Sequence, residues 1–292
     1  MSDLQELKTL DFSGTPLAVV GYPVKHSQSP QMHNAALREM ALEDSRFVDW
    51  EYLRFEIYPE ELPEALEVFY EKGFQGMNLT LPHKVHALDL VCDIDPSAKL
   101  MGAVNTLVRT PDGFKGYNTD GYGLSAAVKE VFGRSLSDYE VVLLGAGGAS
   151  RSIAMQCLIE KVPHLYIGNR NQDRLNTLVD LLPKDYAPIT PFDISKPLPH
   201  YPQNCLIVNA TSLGLKETDP SPISLDSFQG DCVVYDATYG VLTNGLIEAC
   251  KMKGFGYADG LGMLLWQGVK SLQYWTGKDV PVHAMRSALE AV

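Results

Sequence analysis

Three groups of residues in this chain have the types and spacing to do chemistry. Ser27 and Ser29 stand two apart beside Lys25, immediately before Pro30 and the helix-forming run QMHNAALREM. Two hydroxyls next to an ammonium at a helix start suit a carboxylate, because hydroxyls donate and the first-turn N–H groups favour anions. Ser29 before Pro30 also reads as a helix cap, with the hydroxyl at the N-cap and proline at the first helical position. The second group is acid–base. Pro82 opens a helix and puts Lys84 in its first turn, where the partial positive charge works against another cation. A lysine desolvated there has a lowered pKa and can act as acid or base near neutrality; an ordinary surface lysine is the alternative. Asp120, in Asn118-Thr119-Asp120-Gly121, either caps a helix over residues 122–132 or sits at a hinge between lobes, where substrates meet cofactors. The third group would hold phosphate. Gly145-Ala146-Gly147-Gly148-Ala149 follows four apolar residues and precedes a helical pattern, so it reads as a phosphate-binding turn between strand and helix. Gly145 allows the sharp turn, Gly147 leaves room for a pyrophosphate, and the small Ser150 permits close packing of helix on strand. A tight structural turn is the alternative.

The next strand, 164–168, decides the kind of cofactor. It ends in Asn169-Arg170, with Arg174 beyond, and no acid stands at its end. An acid there binds a ribose 2′-hydroxyl, whereas arginine accommodates a 2′-phosphate, so the expectation is NADP and not NAD. Asp173 reads as a solvated helix charge, and exposed helix charges are the alternative for the two arginines.

These groups need elements to hold them. Apolar runs over 17–21, 49–55 and 76–81 read as strands, residues 59–72 as an amphipathic helix, and 102–108 and 114–117 as further strands, so the first part alternates β and α. Strands over 141–144, 164–168, 205–209 and 232–236 give the second part a parallel sheet. A Pro- and Ser-rich loop over 212–229 is expected to border the nicotinamide, residues 254–262 read as the opening of a helix, and a final helix covers 282–291. The fold expectation is a two-lobed α/β protein: an N-terminal substrate domain over 1–120 completed by 261–292, and a Rossmann-type domain over 121–260.

At 292 residues the chain is long enough for two domains. Its net charge of -12 argues against nucleic acid or an anionic membrane as partner, so an anionic ligand must be met by local groups. The five cysteines are odd in number and have no CxxC spacing, which reads as buried free thiols of a reducing compartment and not as a metal site. No run of 18 apolar residues occurs, and the start lacks a basic-then-apolar pattern, so the expected location is cytoplasmic.

Taken together, the motifs resemble shikimate dehydrogenase. The residues that carry the likeness are Ser27-Gln-Ser29-Pro30, Asn78-Leu-Thr80-Leu-Pro82-His-Lys84, Gly102-Ala-Val-Asn105-Thr, Asn118-Thr-Asp120-Gly121, the glycine turn, Asn169-Arg170, Asn209-Ala-Thr211-Ser212 and Ala258-Asp-Gly260 through Gln267. The resemblance implies reversible reduction of 3-dehydroshikimate to shikimate with NADPH, on the way to chorismate and the aromatic amino acids. It implies that Ser27 and Ser29 hold the substrate carboxylate and that Asn78, Thr80, Asn105, Tyr239 and Gln267 bind ring oxygens. Lys84 and Asp120 match the catalytic pair, and cofactor contacts are implied at Asn169, Thr211, Ala237 and Gly260 besides the glycine turn and the arginines. Three departures stand out: Ser150 in place of the commoner alanine, Asn171 where threonine is frequent, and a loop from Tyr239 to Thr243 one residue shorter than usual. The competing expectations are a quinate or dual quinate/shikimate dehydrogenase and a non-catalytic NADPH-binding sensor. A monomer or homodimer is expected.

Overall fold

The computed structural model describes residues 2–291. Among them the chain divides into two units, residues 1–119 with 267–292, and residues 120–266.

In the first unit the strand with the least polar sequence lies between two others. β1 (Thr15–Gly21) is buried at six of its seven residues and pairs in parallel with both β2 (Trp50–Glu56) and β3 (Gly76–Leu79). The sheet continues with β4 (Asp93–Ile94) at its far edge, β5 (Thr106–Thr110) and β6 (Gly113–Tyr117), in the order β2-β1-β3-β5-β6-β4. β5 runs antiparallel to β3 and β6, so this sheet is mixed. Around it lie α1 (Leu4–Thr9), α2 (Ser29–Glu43), α3 (Leu62–Glu71), α4 (His83–His86) and α5 (Pro96–Met101). Phe55, Phe69 and Phe74 meet edge to face in the core, with centroids 4.7 to 6.0 Å apart. Each buried phenyl ring contributes about 1.5–3 kcal/mol.

The second unit is laid out around β7 (Glu140–Leu144), β8 (Leu165–Asn169), β9 (Ile189–Asp193), β10 (Asn204–Asn209), β11 (Asp231–Asp236) and β12 (Gly256–Ala258). All pairs are parallel, in the order β12-β11-β10-β7-β8-β9. Strands buried on both faces need apolar side chains throughout, which is why residues 141–144 show no alternation. The order reverses direction between β7 and β10, and ligands of open parallel sheets bind beyond the carboxyl ends at such a reversal. The helices here are α6 (Asp120–Phe132), α7 (Gly148–Ile159), α8 (Gln172–Leu181) and α9 (Gly245–Lys253). The boundary with the first unit falls inside α10 (Leu261–Thr276), after Trp266. The last helix, α11 (Val282–Glu290), packs on α2 in the first unit, so the chain's end returns there as the fold expectation has it.

Three local expectations need correction. Residues 102–105 are not strand: Gly102, with φ of 59°, is the left-handed C-cap of α5, and β5 begins only at Thr106. The expected helix over 59–72 is split, because a 3-10 turn at Pro59–Glu61 precedes α3. Residues 256–258 form the edge strand β12 against β11, and the helix waits until Leu261. No helix among the described residues is long and apolar enough to cross a membrane.

Candidate active site

Within the second unit the glycine turn lies at the strand reversal. Gly145 has φ of +114°, a conformation that L side chains rarely adopt, and an added Cβ would lie 2.7 Å from Ala210 O and 2.9 Å from Ser150 Oγ. Its N–H donates to Gly168 O at 2.7 Å, and Ala210 N donates to Leu144 O at 2.9 Å, which ties together the ends of three strands. Gly147 and Gly148 face open space, with nothing within 4 Å of an added Cβ. Ser150 is fully buried against this turn, its hydroxyl donating to Ala210 O at 3.4 Å, as the packing role asks. The first-turn N–H groups of α7, from Gly148 through Ser150, have no partner within the helix by its own geometry.

A cleft of about 220 Å³ opens here, lined by Gly145, Ala146, Gly147, Asn169, Arg170, Arg174, Thr211 and Ser212 among others. Asn169 ends β8 and donates from Nδ2 to Asn171 O at 2.8 Å. Asn171 is the N-cap of α8, its Oδ1 accepting from Arg174 N at 2.9 Å. The two guanidinium groups are exposed. Arg170 lies before α8, so the pair does not share a helix face as a spacing of four would suggest; the turn capped by Asn171 brings both to one cleft instead. Thr211 is set by the end of β10: Asn209 Oδ1 accepts from Thr211 N at 3.0 Å and from Thr211 Oγ1 at 2.8 Å. Asn209 Nδ2 in turn donates to Asp236 Oδ1 at 3.0 Å and Leu213 O at 2.7 Å. Burial raises the Asp236 carboxyl above its usual range. Ala237 and Gly260 meet at the ends of β11 and β12, where Gly260 N donates to Thr238 O at 2.9 Å and an added Cβ would run into Ala237 O. Tyr239 follows on the same loop, half-buried, its phenol pKa raised by desolvation. Asp120 is buried as the first residue of α6.

Within the first unit a polar cluster lies inside an apolar surround. Asn78, on β3, donates from Nδ2 toward Asn105 O (3.1 Å), Thr106 Oγ1 (3.1 Å) and Ser271 Oγ (3.0 Å), and its Oδ1 accepts from the Tyr52 hydroxyl at 2.8 Å. Asn105 Oδ1 accepts from Thr119 N at 2.8 Å, and its Nδ2 donates to Thr119 Oγ1 at 3.0 Å and Gln267 Oε1 at 3.4 Å. Gln267 and Ser271, four apart on α10, share one face, and Ser271 Oγ donates to Gln267 O at 2.9 Å. Tyr52 and Ser271 lie outside the sequence motifs, and Thr106 and Thr119 lie in two of them without an assigned role. The four-residue spacing from Gln267 marks Ser271, whereas no local pattern marks Tyr52, which reaches Asn78 from a different strand.

The hydroxyl pair differs from one expectation. α2 begins at Ser29 itself, Gln28 occupies the cap position without a side-chain bond, and Ser29 N donates to Ser27 Oγ at 3.3 Å. Ser29 is therefore buried and bonded to the Tyr52 phenol, and it does not act as the helix cap. Thr80 lies just past β3, where its methyl is packed so close to Gly21 that any Cβ there would collide with it. Lys84 is half-buried in α4, and its carbonyl accepts from Val104 N at 2.8 Å. That helix has only four residues, so the dipole expected to act on Lys84 has little length behind it. His83 beside it is fully buried, with Nε2 3.0 Å from Ile57 O and a pKa lowered by desolvation.

A parallel sheet of this order, with a glycine turn at its reversal and a second α/β unit, defines a two-unit dinucleotide-binding protein. Comparison with known proteins narrows this. Residues 19–107 match the model of the shikimate dehydrogenase substrate binding domain, and residues 260–290 that of the shikimate 5′-dehydrogenase C-terminal domain. The chain is 36% identical to shikimate dehydrogenase (NADP(+)) of Magnetococcus marinus, over 97% of this chain and 98% of that one. Among solved structures it is similar to shikimate 5-dehydrogenase from Thermus thermophilus in complex with NADP(H) and shikimate, at 31% identity and a TM-score of 0.82, covering 95% and 99% of the two chains. It is also similar to 5-ketofructose reductase of Gluconobacter, at 31% identity and a TM-score of 0.85, covering 96% and 99%. The chain belongs to the shikimate dehydrogenase family.

Proposed function

We propose that this protein catalyses the NADP-dependent, reversible reduction of 3-dehydroshikimate to shikimate. The observation that carries the reading is membership of the family over nearly the whole chain, together with a buried cluster in which the amides of Asn78, Asn105 and Gln267 are held close to one another. The residues fit the cofactor. Gly147 and Gly148 leave space for a pyrophosphate against the start of α7, and Arg170 and Arg174 line the same cleft, where a 2′-phosphate would be met by cations. When bound, the nicotinamide supplies or takes the hydride.

The chain's own residues do the rest. In this reading the first unit is the substrate domain and the second the NADP domain. Ser27 and Ser29 bind the substrate carboxylate, and Asn78, Thr80, Asn105, Tyr239 and Gln267 bind ring hydroxyls. Burial of the Asn78 and Asn105 amides in a fixed network sets the position of these side chains before substrate arrives, which lowers the entropy lost on binding. The Lys84 ammonium stabilises charge growing on the carbonyl oxygen and donates its proton there; in the reverse direction the amine accepts it. Asp120 orients lysine and hydroxyl. The partners are these small molecules.

The test follows reduced-nicotinamide absorbance with shikimate or quinate, each with NADP or NAD. Shikimate with NADP should be the fastest pair. Faster turnover of quinate would replace the reading with a quinate dehydrogenase, and no activity with any pair would leave a cofactor-binding protein. The similarity to 5-ketofructose reductase makes 5-ketofructose with NADPH a useful fifth arm, because the same fold there carries a different carbonyl substrate.

A further inference from the structure

Cys205 and Cys232 are the second residues of β10 and β11, neighbours in the parallel sheet of the second unit and direct partners in its register. Their sulfur atoms lie 2.7 Å apart, with the Cys205 thiol donating to Cys232 Sγ. A covalent S–S bond is about 2.05 Å long and needs Cα atoms roughly 4.4–6.8 Å apart. Adjacent strands are about 4.8 Å apart, within that range. Both side chains face the same apolar cluster, among Val142, Ile207, Phe228 and Val234. No thiol–thiol contact is formed by the remaining cysteines: Cys250 is buried in the same cluster, Cys157 is buried outside it, and Cys92 is exposed in the first unit. We propose that Cys205 and Cys232 form a two-electron redox site, a dithiol that peroxide closes to a disulfide across β10 and β11.

The chemistry balances without any further reagent. The Cys205 S–H pointing at Cys232 Sγ lowers the pKa of Cys232 and raises that of Cys205, so Cys232 ionises first and is the attacking sulfur. Its thiolate breaks the O–O bond of hydrogen peroxide, giving a sulfenic acid and, after protonation, one water. The Cys205 sulfur then attacks the sulfenic sulfur, the S–S bond forms, and a second water leaves. Two thiols are oxidised and one peroxide is reduced to two waters. Access needs the rim to open: Asn204 and Asp231, the residues that precede the two cysteines, are exposed but bridged by the Arg134 guanidinium at 2.9 Å and 2.6 Å, and the thiols sit one residue inside them. A water-sized oxidant can enter when that first residue pair opens locally.

The bond lies at the amino ends of the strands, whereas Asn209 and Asp236, which set Thr211 and its loop, lie at the carboxyl ends of the same register. The link adds no geometry that the ladder does not already impose, so turnover should stay within about twofold while the unfolded chain loses the freedom of the intervening loop. The experiment treats the reduced, full-length protein with hydrogen peroxide under native conditions. Intact mass should fall by about 2 Da, peptide mapping should join the Cys205 and Cys232 peptides, and dithiothreitol should restore the mass. The protein should lose two of its five thiols, and its thermal midpoint should rise. Cys205→Ala and Cys232→Ala, checked for native circular dichroism, should show neither the mass loss nor the rise. Retention of all five thiols, or a bridge mapped to any other pair in the parent, overturns the proposal without reference to the variants.

Discussion

In the proposed reaction the heaviest chemical demand falls on Lys84, which lies half-buried in α4 beside the fully buried His83. Lys84→Met keeps the stem and removes the proton, so turnover should fall by roughly 10²–10⁴-fold while shikimate still binds. Turnover near that of the parent in steady-state assays would remove the lysine from the mechanism. A second residue bears on stability. His33 is fully buried on α2, stacked on Tyr52 at 4.2 Å and 5.5 Å from Trp275, and desolvation lowers its pKa from 6.5 to about 3. The unfolded chain therefore binds a proton here between about pH 6.5 and 3 that the folded chain does not, so stability falls as pH drops through that window. From pH 7 to pH 4.5 the loss should be about 2–3 kcal/mol. Urea unfolding at both pH values checks it: His33→Phe should flatten the difference, and an identical slope in parent and variant would show that the acid sensitivity lies elsewhere.

At the scale of elements, the glycine turn separates folding from binding within three residues. Gly145→Ala meets both a positive φ and the Ala210 carbonyl, so it should destabilise the second unit by about 1–3 kcal/mol or more and lower the thermal midpoint. Gly147→Ala has φ of -92° and nothing near its new methyl, so the midpoint should hold while the NADP Michaelis constant rises, because the methyl fills the approach to α7. If both variants melted alike, the turn would be merely structural. This turn was legible in the sequence because its signal is local: an apolar run, glycines and a helix pattern in one stretch. So were β10 and β11, and α11. The end of α5 was not, because Gly102 sits next to apolar residues that mimic a strand, and β12 was missed because three residues with two glycines nearby carry no periodicity. The polar cluster was half legible. Asn78, Asn105 and Gln267 came through family motifs, whereas Tyr52 acts from β2, whose burial follows no strict alternation and gives no sign of a hydroxyl's target. The cap role of Ser29 was a reasonable local inference that Tyr52, a long-range partner, overrides.

At the scale of the whole molecule, a net charge of -12 repels every anion this protein is proposed to bind, so each negative group must be met by a local cation or by backbone N–H groups. Arg170 and Arg174 are the local cations at the nucleotide cleft. Arg170→Ala should raise the NADP Michaelis constant by roughly 10- to 150-fold, from a contact worth about 1.5–3 kcal/mol, with little effect on NAD. The ratio of catalytic efficiencies with the two cofactors, measured at several salt concentrations because exposed charges are screened, decides it. Equal losses with both would assign Arg170 to the shared part of the nucleotide. The division of the chain has a further bearing, on the order of manufacture. The second unit is one continuous segment, whereas the first is split around it, with α11 packed on α2 and with Ser271 and Gln267 completing the network that Asn78 and Asn105 begin. On a ribosome adding about 5–20 residues per second, the amino-terminal part therefore waits roughly seven to thirty seconds with one face of α2 bare while the whole second unit is made. The nascent chain thus meets its largest exposure to misassociation before its last helices emerge, and the unit begun first is the one finished last.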